Sequence, residues 1–468
     1  MRGLRSATAA MLVGTLAGCS VGPAYREPDI VVPEQWSGDL PASSAATGSR
    51  WWTTFRDPQL DALVERALLA NLDLMAAETR VREARASRRV VAAPLLPFAD
   101  ANAAYSRSRT SDNVIGGGVG FNIGENDLFQ AGFDAGWELD IFGGTRRAVE
   151  AADADVEASE FDRADVMLVV LGEVARNYIE LRGHQRQVEV ARRNLTAQRD
   201  TLDLTRARAA GGLASGLDVA RAESLVNTTA SDIPVLESQA SQATHRLGVL
   251  LGENPGALAT ELASVRPIPA AAPSLPSVLP SELLRRRPDI RRAERQLAAS
   301  TARVGVATAD LYPKFSLVGN AGLASLTASD FFRADSATWS IGPSISWPIF
   351  RGGQIVATIE VREAQAARAL LNYRGTILGA LEEVENAIVS FDREKERRSA
   401  LVEAVTADES AVALADELYR RGLSDFLSVL DARRTLFRSQ LSLARSEASV
   451  SAYLVALHKA LGGGWEGA

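Results

Sequence analysis

The chain of 468 residues has one cysteine and three histidines, and no apolar stretch long enough to make a transmembrane helix. A single cysteine excludes a disulfide framework. Cys19, His184, His245 and His458 are too scattered to form a Cys/His metal site by spacing. No convergent polar cluster of the kind an enzyme needs is visible, so the sequence calls for no catalysis, no cofactor and no metal. Lysine and arginine number 51 against 58 aspartate and glutamate, a formal charge of −7, which removes the electrostatic footprint of a nucleic-acid binder. What remains is an ordinary folded composition, 46% hydrophobic and 23% charged, in a chain long enough for several units.

The first twenty residues carry an address. Arg2 and Arg5 form a basic start, and Ala7 to Ala17 is an apolar stretch that suits a signal peptide and is too short to span a bilayer. It ends in Leu16-Ala17-Gly18-Cys19, and the only cysteine stands where a lipobox requires one. Cleavage after residue 18 and acylation of Cys19 are therefore expected, with several acyl chains giving a stable anchor. Ser20, rather than aspartate, follows, as in lipoproteins exported to the outer membrane of Gram-negative bacteria. Val21-Gly22-Pro23-Ala24-Tyr25 and the Pro/Ser/Ala-rich residues to Gly48 read as extended tether. Trp51, Trp52 and Phe55 precede a helix starting near Pro58 and are expected to dock it.

The body of the chain is duplicated. Asn71-Leu72-Asp73-Leu74 and Pro97 line up with Arg287-Pro288-Asp289-Ile290 and Pro313. Ile141-Phe142 matches Ile349-Phe350, and Gly212-Leu213, Val219 and Leu251-Gly252 match Gly422-Leu423, Val429 and Leu461-Gly462. The expected organisation is a signal peptide over 1–18, a lipidated extended segment over 19–56 and a first repeat over 57–255. A Pro-rich linker over 256–280, a second repeat over 281–463 and a tail over 464–468 complete it. A loop insertion in the first copy falls near Gly116-Gly117-Gly118.

Each copy reads as helix, two strands, long helix, turn, helix. Phe133, Ala135, Trp137, Leu139 and Ile141 alternate with Asp134, Gly136, Glu138 and Asp140. Ile341, Pro343, Ile345, Trp347 and Ile349 alternate in the same way, with partner strands over about 98–109 and 315–326. One apolar and one polar face suits a transmembrane β-strand, although a soluble sandwich strand alternates similarly. The three acids of the first strand are expected to be solvated charge in a lumen. Met167, Val174, Leu181, Val188, Leu195, Leu202 and Ala209 recur every seven residues, and Ile377, Val384, Phe391, Val405, Val412 and Tyr419 do so in the second copy. No proline falls between 144 and 212 or between 353 and 422, so each seam predicts a rod of roughly 100 Å. Four strands per chain leave open edges, which a bilayer does not tolerate. A dimer would close an eight-stranded plug, whereas a trimer is the smallest ring with a lumen.

The lipobox with Val21 to Tyr25, the Trp51 to Leu60 segment, Phe133 to Arg146, Leu283 to Phe315, and Trp347-Pro348-Ile349-Phe350-Arg351-Gly352-Gly353 together resemble the outer-membrane lipoproteins of the TolC family, in its NodT/OprM-like branch. The resemblance implies a mainly α fold with a membrane β-barrel portion: a homotrimer with a twelve-stranded barrel and a long periplasmic α-barrel. It further implies a passive exit duct, anchored in outer-membrane lipid. A periplasmic adaptor (membrane fusion) protein and an inner-membrane resistance-nodulation-division transporter would be its partners. By the same resemblance Asp218 matches a family aspartate that bonds a tyrosine of the neighbouring tip, here Tyr419, and Asp431 matches one of two acidic ring positions. The other ring position is Ser428 and the place of a gating arginine is Ser424, so closure is expected to draw on Leu423, Phe426 and Leu427. Ser215 and Asp218 equally fit a capping box at the start of the return helix. The tips at Gly212, Leu213, Gly422 and Leu423 are candidate adaptor-docking points or simple loops. A duct for type I protein secretion is the alternative within the class, and a structural coiled-coil surface lipoprotein is the alternative outside it.

Overall fold

The computed structural model describes residues 20–37, 50–109, 125–270 and 279–465. Cys19, the leader before it, the Gly116 to Gly118 insertion and Pro273 and Pro276 of the linker lie outside the described residues. The chain forms two compact units, one from residues up to 29 with 81–159 and 293–373, the other from 30–80, 160–292 and 374–468.

The duplication is visible element by element. Copy one runs α1 (Pro58–Ala70), α2 (Leu72–Ala92), β1 (Phe98–Arg109), β2 (Glu125–Leu139), α3 (Gly144–Ala210) and α4 (Gly216–Leu250). Copy two runs α5 (Pro280–Arg286), α6 (Pro288–Ala309), β3 (Lys314–Ser325), β4 (Ala337–Ser346), α7 (Gln354–Arg420) and α8 (Phe426–Ala460). The long helices α3 and α7 have 67 residues each, and the return helices α4 and α8 have 35 each. Their Pro-free heptad seams explain the length: Met167, Val174, Leu181, Leu195 and Leu202 of α3 are buried, as are Ile377, Val384, Phe391 and Tyr419 of α7.

The second unit owes its core to the belt of residues around α1. Trp51, Trp52 and Phe55 form one helical turn and are buried with Leu60, Leu63 and Val64. Asp57 caps α1, its carboxylate accepting from Gln59 N at 2.9 Å and Leu60 N at 3.2 Å, and it also accepts from Tyr178 Oη at 2.8 Å. The aligned residues Asn71 and Arg287 perform one task by different chemistry. Asn71 Nδ2 donates to the carbonyl of Leu250, the last residue of α4, at 2.8 Å, and Arg287 Nη1 donates to that of Ala460, the last residue of α8, at 2.9 Å. Both satisfy a carbonyl that the helix end leaves open.

The first unit holds a four-stranded antiparallel sheet in the order β1-β2-β3-β4. Two expectations need correction here. β4 ends at Ser346, so Trp347 and Ile349 lie beyond it; Pro348 cannot donate to a ladder there. Residues 21–25 are extended but docked, not free tether. Val21 N donates to Phe142 O at 3.1 Å, Arg147 Nε donates to Val21 O at 3.2 Å, and Tyr25 Oη donates to Glu294. Gly22 (φ +86°) lies so close to Gly305 that a Cβ would stand 2.4 Å from the Gly305 Cα, a position only glycine can fill.

Candidate functional site: an apolar sheet face and two helix tips

The sheet register sorts its side chains by sign of polarity. Phe133, Ala321 and Trp339 fall in one row, as do Trp137, Leu317 and Pro343. On the other face Asp100, Asp134, Asn320 and Ser340 form a row across all four strands. Asn102, on the same face in the next row, donates to Asp134, and Ser340 Oγ donates to Asn320 Oδ1 at 3.2 Å, so the polar face carries hydrogen bonds of its own. The apolar face is bare: Phe133 is 65% exposed, Trp339 76%, Ile341 69% and Ile345 66%. Exposing so many large apolar side chains to water is unfavourable in a soluble monomer and marks a membrane or protein contact. Trp137, within β2, and Trp347, just beyond β4, donate their indole N–H to the corresponding carbonyls of the two copies, Leu95 O at 3.0 Å and Leu311 O at 3.1 Å. Amphipathic rings of this kind favour a membrane boundary.

The acids of the first strand do not all behave as solvated charge. Asp140 accepts from Thr145 N at 3.0 Å and Arg146 N at 2.8 Å, and so caps α3. Its place just ahead of Gly143-Gly144 was the signal for this.

In the second unit α3 and α7 end in the same turn. Gly212 and Gly422 both have φ +75°. Leu213 N donates to Arg208 O at 2.8 Å and Gly212 N to Ala209 O at 3.0 Å; Leu423 N donates to Leu418 O at 2.9 Å and Gly422 N to Tyr419 O at 3.0 Å. These are Schellman closures, which need the left-handed residue that glycine supplies. Leu213 and Leu423 are each 72% exposed at the apices.

Each return helix then opens with a cap, but with the acid in opposite places. At α4, Ser215 Oγ accepts from Asp218 N at 3.2 Å while Asp218 Oδ2 accepts from Ser215 N at 3.0 Å and from Ser215 Oγ at 2.8 Å. At α8, Asp425 Oδ1 accepts from Ser428 N at 3.1 Å and Ser428 Oγ at 2.8 Å. Those bonds hold the Asp425 carboxyl below its ordinary range. Asp218 is thus a capping residue here, and Ser428 is the partner of a cap.

Tyr419 is buried in a small tip core with Leu195, Leu202, Val226, Val429 and Leu430, and its hydroxyl has no hydrogen-bond partner among the described residues. Phe426, expected to assist closure, is buried in the same core, whereas Leu427 is 47% exposed. Asp431 is exposed one turn beyond Ser428. The tips therefore bring Tyr419, Asp218, Asp425 and Asp431 into one unit without joining Tyr419 to Asp218. Two residues that the sequence did not single out matter here. Arg208 covers Tyr419, and Arg433 Nη2 pairs with Asp416 at 2.7 Å while its Nη1 donates to Ala197 O at 3.1 Å. Neither arginine sits in a motif, so only tertiary placement reveals it. Among the described residues no His, Cys, Asp or Glu cluster could hold a metal, and no helix is long and apolar enough to cross a membrane.

The family model described as outer membrane efflux protein matches the chain twice, over residues 63–253 and 279–463. The chain belongs to the outer membrane efflux protein family. It is 36% identical to the pyoverdine export outer membrane protein OpmQ of Pseudomonas aeruginosa, over 100% of this chain and 98% of that protein. With nodulation protein T of Rhizobium leguminosarum bv. trifolii it shares 32% identity, covering 96% and 95%. The solved structure of the outer-membrane channel OprN superposes with a TM-score of 0.89 at 39% identity, covering 96% of this chain and all of that one. This efflux channel resides in the outer membrane, and its bare apolar sheet face has the polarity that a lipid-facing barrel wall requires.

Proposed function

We propose that the protein is the outer-membrane exit duct of a tripartite pump, passively conducting small molecules handed over by an inner-membrane resistance-nodulation-division transporter through a periplasmic adaptor. The observation that carries this reading is the sheet: four strands with one bare apolar face and two open edges, β1 and β4. Open edges cannot persist in lipid, and three chains joined β4 to β1 close a twelve-stranded barrel. The row of Asp100, Asp134, Asn320 and Ser340 would then line its lumen and favour cations. Relatives described as exporting pyoverdine and as a solvent efflux pump component support a small-molecule cargo over a secreted protein.

Signal removal after residue 18 and acylation of Cys19 supply the anchor, and the two repeats run over 57–255 and 281–463. Asp218, Tyr419 and Asp431 guard the entrance, and the exposed apices Gly212-Leu213 and Gly422-Leu423 receive the adaptor. The duct performs no catalysis. The test is a deletion strain challenged with drugs, dyes and solvents, alongside crosslinking in native membranes. Raised sensitivity and a trimer are expected; unchanged sensitivity with only monomers captured would overturn the proposal.

A further inference from the structure

Both groups that could latch the entrance are engaged elsewhere in this structure. The Asp218 carboxylate closes its own capping box, and Tyr419, 5% exposed, has a hydroxyl with no hydrogen-bond partner among the described residues. The group lying on Tyr419 is Arg208, from the last turn of α3. Its guanidinium carbon stands 4.6 Å from the ring centroid, and its Nη1 donates to the carbonyls of Tyr419 at 3.2 Å and Arg420 at 3.4 Å. Those carbonyls are the last two of α7, where the helix dipole is negative and a cation is favoured. Phe426 packs near the phenol, with ring centroids 5.6 Å apart. Arg208 thus holds the ring by its face and the helix end by its backbone.

The arrangement is also incomplete. A buried phenol and the buried Arg208 Nε both lack partners, and unpaired buried polar groups are a standing cost that another arrangement can relieve. The phenol gains a partner by reaching the Asp218 carboxylate, at the loss of the Arg208 stack. If reaching Asp218 draws the ring out from under Arg208, the tip is a two-state element.

We propose that Arg208 is the positioning residue that keeps the entrance released, by holding Tyr419 away from Asp218 through its stack on the ring and its bonds to the end of α7. This rests on the reading that Asp218 and Tyr419 close the entrance. Ser424 stands where the family resemblance places a gating arginine and donates to Asp425 O at 3.3 Å, whereas Arg208 is a cation in direct contact with Tyr419.

The test is single-channel recording of the acylated full-length protein in planar bilayers. Arg208→Ala removes the stack and both carbonyl bonds, and should shift the open-to-closed ratio about fivefold toward closed. Tyr419→Phe keeps a ring for Arg208 to cover but cannot bond Asp218, and should shift the ratio toward open. The double variant should follow Tyr419→Phe. An Arg208→Ala channel as open as the wild type, or more so, would overturn the proposal while leaving the Asp218–Tyr419 gate standing. A double variant that stays as closed as Arg208→Ala would also overturn it, because Arg208 would then be acting on tip folding alone. If Tyr419→Phe and Asp218→Asn both leave the ratio unchanged, the gate reading itself falls, and the role of Arg208 with it.

Discussion

His458 should make the protein lose stability in mild acid, in a window that one substitution removes. The imidazole is 5% exposed, stacked on Trp51 with centroids 5.2 Å apart and planes 11° apart, and its Nδ1 has no hydrogen-bond partner among the described residues. Burial alone pushes its pKa down to about 4 from the ordinary 6.5. The folded chain therefore stays unprotonated at this site until about pH 4, whereas the unfolded chain takes the proton from about pH 6.5 downward. Unfolding gains a proton throughout that window, so the site's contribution is intact at neutral pH and declines as pH falls. At 1.36 kcal/mol per pKa unit the loss is about 2 kcal/mol by pH 5 and about 3 kcal/mol once both states are protonated. Urea titrations of the detergent-solubilised protein, followed by ellipticity at pH 7.5, 6 and 5, read this directly. His458→Leu lowers stability at every pH by losing the stack, but the gap to wild type should narrow by about 2 kcal/mol between pH 7.5 and pH 5. His184, also held low by burial and by Arg445, is present in both proteins and cancels. A gap that stays constant over this range would refute the assignment.

Other consequences are equally open to measurement. Ile341→Arg, on the apolar sheet face, should cost roughly 2–4 kcal/mol in the membrane and block insertion scored by fractionation, while Ser344→Arg on the opposite face should insert normally. Arg287→Ala should cost roughly 3 kcal/mol, because it strips the salt bridges to Asp289 and Glu383, each 2.8 Å, and uncovers the Ala460 carbonyl; protease resistance of the second unit reports the loss. Ser215→Ala should cost about 1 kcal/mol and raise hydrogen exchange in the first turn of α4, with no change at α8. The intact mass of the mature chain should correspond to cleavage before Cys19 and acylation of that residue; an unmodified thiol would refute the lipobox reading.

The sequence carried much of this architecture because its strongest signals are periodic. Seven-residue seams and a Pro-free span were enough to place α3 and α7, and the offset landmarks revealed the duplication that the equal helix lengths bear out. Aligning Asn71 with Arg287 was possible from sequence, but their shared function was not, since each binds a carbonyl 179 or 173 residues away. Arg182, fully buried, was equally silent: its Nη1 donates to Ser264 O at 2.7 Å and its guanidinium covers Tyr178. Local chemistry proved double-edged at the tips. Ser215 and Asp218 met both a capping and a gating pattern, and the structure uses them for the cap. The docking of residues 21–25 escaped notice because it depends on the gap at Gly305, which lies far along the chain.

The opposite placement of acid and serine in the two caps has a consequence for whatever meets these tips. A trimer of a duplicated chain would offer six hairpin ends of nearly one shape, yet the carboxylate would sit at the first position of every second cap and one turn deeper in those between. The rim would be sixfold to touch and threefold to charge. A partner that grips all six ends must therefore either ignore the carboxylates or present unlike contacts in alternation.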